Sequence, residues 1–231
     1  MGAHNLSDPD KVLIIVAHPD DAEISSGGSI ARWVMEGKEV AYIVVTSGNK
    51  GTKDINISPY TLAELRESEQ LEAAHVLGVK QIYFLRHNDG EVEVTFALRH
   101  ELALLIRKFR PSIIITHDPW RPYQLHPDHR ATGFAATDAI VAARDHLFLP
   151  AQGEVGLCAH RPREIYYTFP PLPDLIIDIT DTISKKLEAL SKHKSQVDLS
   201  SGWHDRIINM AKEWAKDETF MYAEAFKRVI L

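Results

Sequence analysis

The sequence predicts an α/β fold: a Rossmann-like three-layer α/β/α sandwich around a mostly parallel sheet. Two observations carry the prediction. Short apolar runs alternate with helical stretches four times between Val12 and Ala143, the β-then-α repeat that a parallel sheet covered on both faces requires. The runs are also continuously apolar instead of alternating, as strands buried on two faces are.

The elements follow in order. Val12–Ala17 (VLIIVA) reads as a first strand. Ser26–Gly37 follows as a helix through the spacing of Ile30, Trp33 and Val34, with Gly37 as its stop. Val40–Thr46 is a second strand, and Thr61–Leu77 a helix opened by a capping box of Thr61 and Glu64 and closed by Gly78. Gln81–Leu85 is a third strand, Phe96–Phe109 a helix halted before Pro111, Ser112–Thr116 a fourth strand and Asp128–Ala143 a further helix. Beyond it, Pro150, Pro162, Pro170, Pro171 and Pro173 break the pattern. Glu164–Thr168 and Leu175–Ile179 are expected strands there, and Asp181–His193 and Trp203–Lys216 expected helices. No repeat, low-complexity tract or rich linker divides the chain, so residues 1–231 are expected to form a single domain.

Composition excludes several classes. With 25% charged and 45% hydrophobic residues the chain is globular in type. A net charge of −6 and scattered Lys and Arg argue against nucleic acid as a partner, and Arg99–Arg110 reads as a solvated helix face. No apolar run approaches the roughly 18 residues of a membrane span, so no membrane association is expected. The stretch from Met1 to His4, followed by Asp8 and Asp10, has no apolar leader core. A lone Cys158 rules out an internal disulfide and fits a reducing compartment, hence a cytoplasmic expectation. Its neighbours offer no base, so it reads as passive.

Ligands of open parallel sheets bind beyond the carboxyl ends of the strands. The first strand runs there into His18-Pro19-Asp20-Asp21-Ala22-Glu23, and the fourth into His117-Asp118-Pro119-Trp120-Arg121 and on to His126-Pro127-Asp128-His129. A dinucleotide fingerprint is absent: Gly27 and Gly28 come too late, and three carboxylates in the turn would repel a pyrophosphate. Crowded His and Asp suit a divalent cation. His18, Asp21 and His129 are the candidate ligands, three protein groups that leave a position for water, as catalytic zinc sites do. Bound Zn2+ would lower the pKa of that water to about 7. Asp20 would face the water as general base, and His126 the substrate as proton donor or oxyanion stabiliser. The bland alternative is that His18 and Asp20 cap a helix and His126 and His129 lie on a solvated surface.

These residues are also recognisable. Ala17–Glu23 (AHPDDAE) followed by Gly27-Gly28, and later His126–Ala131 (HPDHRA), resemble the two signatures of the LmbE-like, PIG-L-type zinc de-N-acetylases. Weaker matches are Arg66-x-x-Glu69 with Leu77-Gly78, Asn88-Asp89-Gly90-Glu91, and His193-x-Ser195-Gln196. The resemblance implies zinc held by His18, Asp21 and His129, Asp20 as base and His126 as acid or electrophile. It also implies removal of an acetyl group from a small N-acetylated amino sugar, with release of acetate, and a homo-oligomer, trimeric or hexameric. The apolar segment Phe220–Leu231 is a candidate contact for that assembly. A set of two His and one Asp also accepts Fe2+, Co2+ or Mn2+. Rival functions are an amidase for larger conjugates and a non-catalytic metal- or carbohydrate-binding module.

Supporting residues have two readings each. Arg66 either pairs with Glu69 inside the protein or, as the resemblance implies, binds substrate hydroxyls. Asn88 and Asp89 form either a plain turn or a substrate contact. Asp128 is either a first-turn carboxylate or the group that orients a ligating imidazole. His193 either ends a helix or, by resemblance, stands at the rim of the substrate pocket. Glu23 falls where the family pattern departs, after Ala22, and reads as a carboxylate complementing the helix dipole.

Overall fold

The computed structural model describes residues 10–197 and 202–231; the N-terminal residues Met1 to His4 and Asp8 lie outside the described residues. Seven strands form one sheet: β1 (Lys11–Val16), β2 (Glu39–Thr46), β3 (Gln81–His87), β4 (Ile113–His117), β5 (Glu164–Thr168), β6 (Leu175–Asp178) and β7 (Ala223–Ile230), in the spatial order β3-β2-β1-β4-β5-β7-β6. The first five run parallel, and β7 is antiparallel to both β5 and β6. Val12 to Val16 are sealed from solvent, as their unbroken apolar run predicts.

One face carries α1 (Asp21–Met35) and α2 (Pro59–Leu77), whose Ile30 and Ala73 pack on Val12 and Ile14. The other carries α3 (Phe96–Phe109) and α4 (Pro127–Arg144), whose Leu102, Ile106, Ala135 and Ala139 pack on Leu13 and Ile15. The helices α5 (Pro150–Glu154), α6 (Ile183–Leu190) and α7 (Trp203–Trp214) complete the described elements, with α6 packed against α1 and α2. The chain winds outward from β1 to β3, then returns to place β4 on the other side of β1. The loops leaving β1 and β4 therefore diverge, and the crevice between them is the ligand position of such sheets.

Several boundaries and roles differ from expectation. Helix α1 begins at Asp21, directly after the turn, and runs through Gly27 and Gly28; a side chain at position 28 would strike Ile179. Helix α2 starts at Pro59, with the Ser58 Oγ accepting the Thr61 N–H (3.1 Å); proline at the first helical position displaced the box expected from Thr61 and Glu64. Helix α6 is shorter than Asp181–His193 and stops at Leu190. Most of Phe220–Leu231 is β7: Ala223 to Phe226 lie buried between β5 and β6, whereas Met221, Val229 and Ile230 are exposed. The Arg99–Arg110 segment is not uniformly solvated either. Arg107 is buried, donating to the carbonyls of Ala142, Ala143, Asp145 and Leu149. It thereby satisfies the carbonyls that the end of α4 leaves unpaired. Among the described residues, no helix is long and apolar enough to cross a membrane.

Candidate active site

The turn after β1 decides the site. Asp20 has φ 97° and ψ −26°, a left-handed backbone at a non-glycine residue, which costs about 1–3 kcal/mol and survives only when its surroundings fix it. The turn sends consecutive carboxylates in different directions. Asp20 meets the Arg66 guanidinium, Nη2 to Oδ2 3.3 Å. Asp21 turns to the histidines, its Oδ2 accepting the His18 N–H at 2.8 Å.

Donor atoms of three residues converge there. His18 Nδ1 lies 3.2 Å from His129 Nε2 and 3.3 Å from Asp21 Oδ2, and His129 Nε2 lies 3.2 Å from Asp21 Oδ1. A tetrahedral ion bound at about 2.0–2.1 Å has donor–donor edges of about 3.3–3.4 Å, the scale of these three separations, with His18 facing one oxygen of Asp21 and His129 the other. Tautomers agree. His18 Nε2 faces two acceptor-only groups, Asp89 Oδ1 (3.1 Å) and Asp128 Oδ2 (3.2 Å), so it carries the hydrogen. The Nδ1 lone pair of the neutral ring is thereby left for the cluster. Burial opposes a charge on His18, but the hydrogen bonds to Asp128, Asp21 and Asp89 outweigh it and raise the pKa to about 11. Burial also pushes Asp21 up, yet His129 and His117 hold it well below the usual carboxylate range.

Asp128, fully buried, accepts the N–H groups of Gly90 (2.6 Å) and Val92 (3.2 Å) while it holds His18. It thus stands in the first turn of α4 and contacts His18 at the same time. Asp89 is also buried and turned inward, and it accepts the Lys50 N–H (3.1 Å). Burial pushes its pKa up, but the hydrogen bond and charge of His18, the Lys50 N–H and the charge of Arg66 together bring it down to about 2. Asn88 is exposed and donates to Glu91 (3.0 Å), closing a turn without reaching the cluster.

His126 caps α4, its Nδ1 accepting the Asp128 N–H (3.3 Å). The neutral ring then carries its hydrogen on Nε2, and its centroid lies 4.5 Å from that of His18. Its side chain is 42% exposed against 21% for His129 and 9% for His18, so it is the group of the three most open to a ligand. Burial, with the nearby His18 and His129, lowers its pKa. Asp20 is pushed up to about 6 by burial, against the pull of Arg66 and with the push of Asp21.

His117 is the residue that sequence reasoning missed. It ends β4 as His18 follows β1, and its ring stacks on His129 (4.3 Å between centroids, 11° between planes). Its Nε2 lies 3.3 Å from Asp21 Oδ2 but accepts the Ala17 N–H (3.1 Å), which occupies the lone pair a metal would need. Its place at a strand's carboxyl end was the available signal; it stands in no paired motif.

Both readings of Arg66 require correction. It makes no pair with Glu69 and offers no open face to a ligand. At 4% exposure it donates to Gly48 O (2.9 Å) and Pro19 O (2.6 Å) and braces Asp20. Gly48 has φ 60°, and a side chain there would run into the guanidinium. Glu69 instead accepts the Ser195 N–H (2.8 Å) and hydroxyl (2.6 Å), while Gln196 donates to Gly51 O (3.0 Å). Two of the weaker motifs, Arg66-x-x-Glu69 and His193-x-Ser195-Gln196, thus meet through Glu69 and Ser195.

His193 is neither a helix end nor a pocket rim. It is fully buried, its Nε2 3.3 Å from Glu23 Oε2. Glu23 is fully buried as well and accepts from Gln70 Nε2 (2.9 Å), so complementing the helix dipole is not its main work. The two are 170 positions apart, too far for local sequence to reveal the pairing.

With this geometry in place, the family model described as PIG-L, GlcNAc-PI de-N-acetylase, matches residues 13–140. The chain belongs to the PIG-L family. The matched span runs through β1 to α4 and contains His18, Asp20, Asp21, His126 and His129 but not His193. A diacetylchitobiose deacetylase from Thermococcus kodakarensis is 36% identical over 225 residues, covering 96% of this chain and 84% of its own. A 1D-myo-inositol 2-acetamido-2-deoxy-alpha-D-glucopyranoside deacetylase 2 from Saccharopolyspora erythraea is 28% identical, covering 82% of this chain and 85% of its own. The solved N,N'-diacetylchitobiose deacetylase from Pyrococcus horikoshii superposes with a TM-score of 0.92 at 34% identity, over 96% of this chain and 85% of that one. PIG-L deacetylases are metal-dependent, and this chain brings together His and Asp side chains, among them His18, His126 and His129, that could hold a metal ion.

Proposed function

We propose that this PIG-L protein is a metal-dependent N-deacetylase acting on a small N-acetylglucosaminyl compound, which it converts to a free amine and acetate. The observation that carries the reading is the convergence of His18, Asp21 and His129, whose nitrogens and carboxylate oxygens lie 3.2–3.3 Å apart with Asp20 beside them. The relatives named above, each a deacetylase of an N-acetylated sugar by name, support the substrate class.

His18 Nδ1, His129 Nε2 and an Asp21 oxygen are the ligands we assign, with Asp128 orienting His18 from behind. Zn2+ suits them best, and Fe2+, Co2+ or Mn2+ are also accepted by such a set. A bound divalent cation supplies Lewis acidity, polarising the acetamide carbonyl and acidifying a water. Asp20 takes the proton from that water, for which a pKa near neutrality is suited. His126 donates its Nε2 hydrogen to the oxygen that becomes negative as the carbonyl carbon turns tetrahedral. The leaving nitrogen then takes the proton collected by Asp20, the C–N bond breaks, and acetate departs. Arg66 keeps Asp20 in place throughout.

An acetate-release screen over N-acetylglucosamine, its oligomers and its glycosides, with a chelated control, tests the reading. Release from at least one of them, lost on chelation and restored by zinc, is expected. Absence of release under every divalent metal would favour a binding module. Sedimentation of the same protein checks the expected trimer or hexamer.

A further inference from the structure

We infer that Gln70 is a positioning residue for Asp20, kept in register by the buried Glu23–His193 pair. The inference rests on the reading of Asp20 as the base.

Asp20 holds a left-handed backbone as the residue preceding α1, and its side chain caps nothing. Its carbonyl accepts the Ile24 N–H (2.9 Å), which ties one side of the residue to the helix. The other side is tied by a single bond: the Asp20 N–H donates to Gln70 Oε1 at 3.0 Å. A carboxamide can present either end, and reversing it would set its NH2 against the Asp20 N–H. Glu23 removes that choice. Its carboxylate only accepts, and Gln70 Nε2 donates to it at 2.9 Å, so Oε1 must face Asp20. His193 Nε2 stands 3.3 Å from the other oxygen of Glu23. Gln70, Glu23 and His193 are all 0% exposed, so water offers none of them an alternative partner. The chain of contacts joins three distant parts of the sequence and ends on the one strained peptide of the turn after β1. None of its members touches the assigned metal ligands. Arg66 holds the carboxylate of Asp20, and Gln70 holds its backbone.

The test is Gln70→Met, a change of similar size at a buried position, beside Asp20→Asn and the exchange pair Glu23→Gln/Gln70→Glu. The exchange pair restores all three bonds. The carboxylate placed at position 70 accepts from the Asp20 N–H and from the amide nitrogen placed at position 23, whose carbonyl oxygen accepts from His193. In Gln70→Met, kcat is expected to fall about 10–100-fold, the scale of a displaced catalytic group, while KM and zinc per chain stay within about twofold. The exchange pair should recover kcat to within about threefold. Amide hydrogen exchange on the metal-free protein gives a readout apart from turnover. The Asp20 N–H should be protected in the native chain and exchange at least about tenfold faster in Gln70→Met. Native kcat in folded Gln70→Met, a kcat loss matched by zinc loss, or a folded exchange pair that stays more than about tenfold down would each overturn the inference. Should Gln70→Met not fold, the exchange pair and the native amide decide; an unprotected Asp20 N–H in the native protein overturns it without any variant. Full activity in Asp20→Asn would instead overturn the assignment of the base, and so separates the two failures.

Discussion

Two buried charge clusters lie against helix α1, and they are built on opposite plans. Midway along the helix, Lys186 and Glu224 meet at 2.5 Å with both side chains almost wholly buried. Lys186 also donates to Ile24 O (2.8 Å), and Glu224 accepts the N–H groups of Gly28 (3.0 Å) and Ser29 (2.7 Å). One positive charge faces one negative charge, and the remaining contacts are neutral. At the start of the helix, Asp21, Asp89 and Asp128 all face His18, and burial lowers the pKa of the neighbouring His117. Three carboxylates around one imidazole leave negative charge in excess even when His18 holds a proton, and a divalent cation would reduce that excess. A closed pair serves the fold, whereas an open cluster awaits something from outside.

The contrast can be broken or sharpened by experiment. The largest effect is expected at the open cluster: Asp20→Asn should lower kcat about 10²–10⁴-fold with zinc content retained, read by steady-state kinetics beside metal analysis. Next comes the closed pair. Lys186→Met leaves a buried carboxylate without its cation and should cost about 3–5 kcal/mol in urea unfolding, while zinc per folded chain stays unchanged. A stability loss under about 1 kcal/mol would show that this pair is not structural in the sense argued.

A third test uses protons. His18, with its pKa raised to about 11 in the metal-free protein, must surrender a proton when a metal takes Nδ1. Apparent zinc affinity should therefore weaken about tenfold per pH unit on acidification from pH 8 to 6; a flat profile contradicts the assignment. For the metal-free fold the sign is opposite. A raised pKa means that the stabilisation is complete below the unfolded value of about 6.5 and fades as pH rises toward 11, so urea midpoints should drop between about pH 7 and pH 10. The smallest effect belongs to Asn88→Ala, at an exposed turn outside both clusters, with a stability change within about 0.5 kcal/mol and kcat unaltered.

Much of the sheet was legible because β1 to β4 are continuous apolar runs, each followed by a helical period. The cluster was legible because His18 and Asp21 are three positions apart, His126 and His129 likewise, and both pairs follow strands of one sheet. What escaped shares a physical cause. Arg66, Glu69, Glu23 and Arg107 find their partners on distant segments, often on backbone atoms that carry no side-chain signature. Arg66 against Pro19 and Gly48 leaves no periodic trace, and neither does Arg107 against the end of α4. The place of β7 escaped likewise, because pairing with β5 and β6 is settled by the whole sheet and not by its own eight residues.

That strand has a consequence for how the molecule comes into being. It leaves the ribosome after every other element described, yet it is the slat that joins β6 to the rest of the sheet. It also brings Glu224 to Gly28 and Ser29 in the first helix to emerge. The earliest helix must wait for the latest strand, so a nascent chain stalled before residue 223 would carry an unsealed edge and a lysine, Lys186, with no carboxylate to receive it.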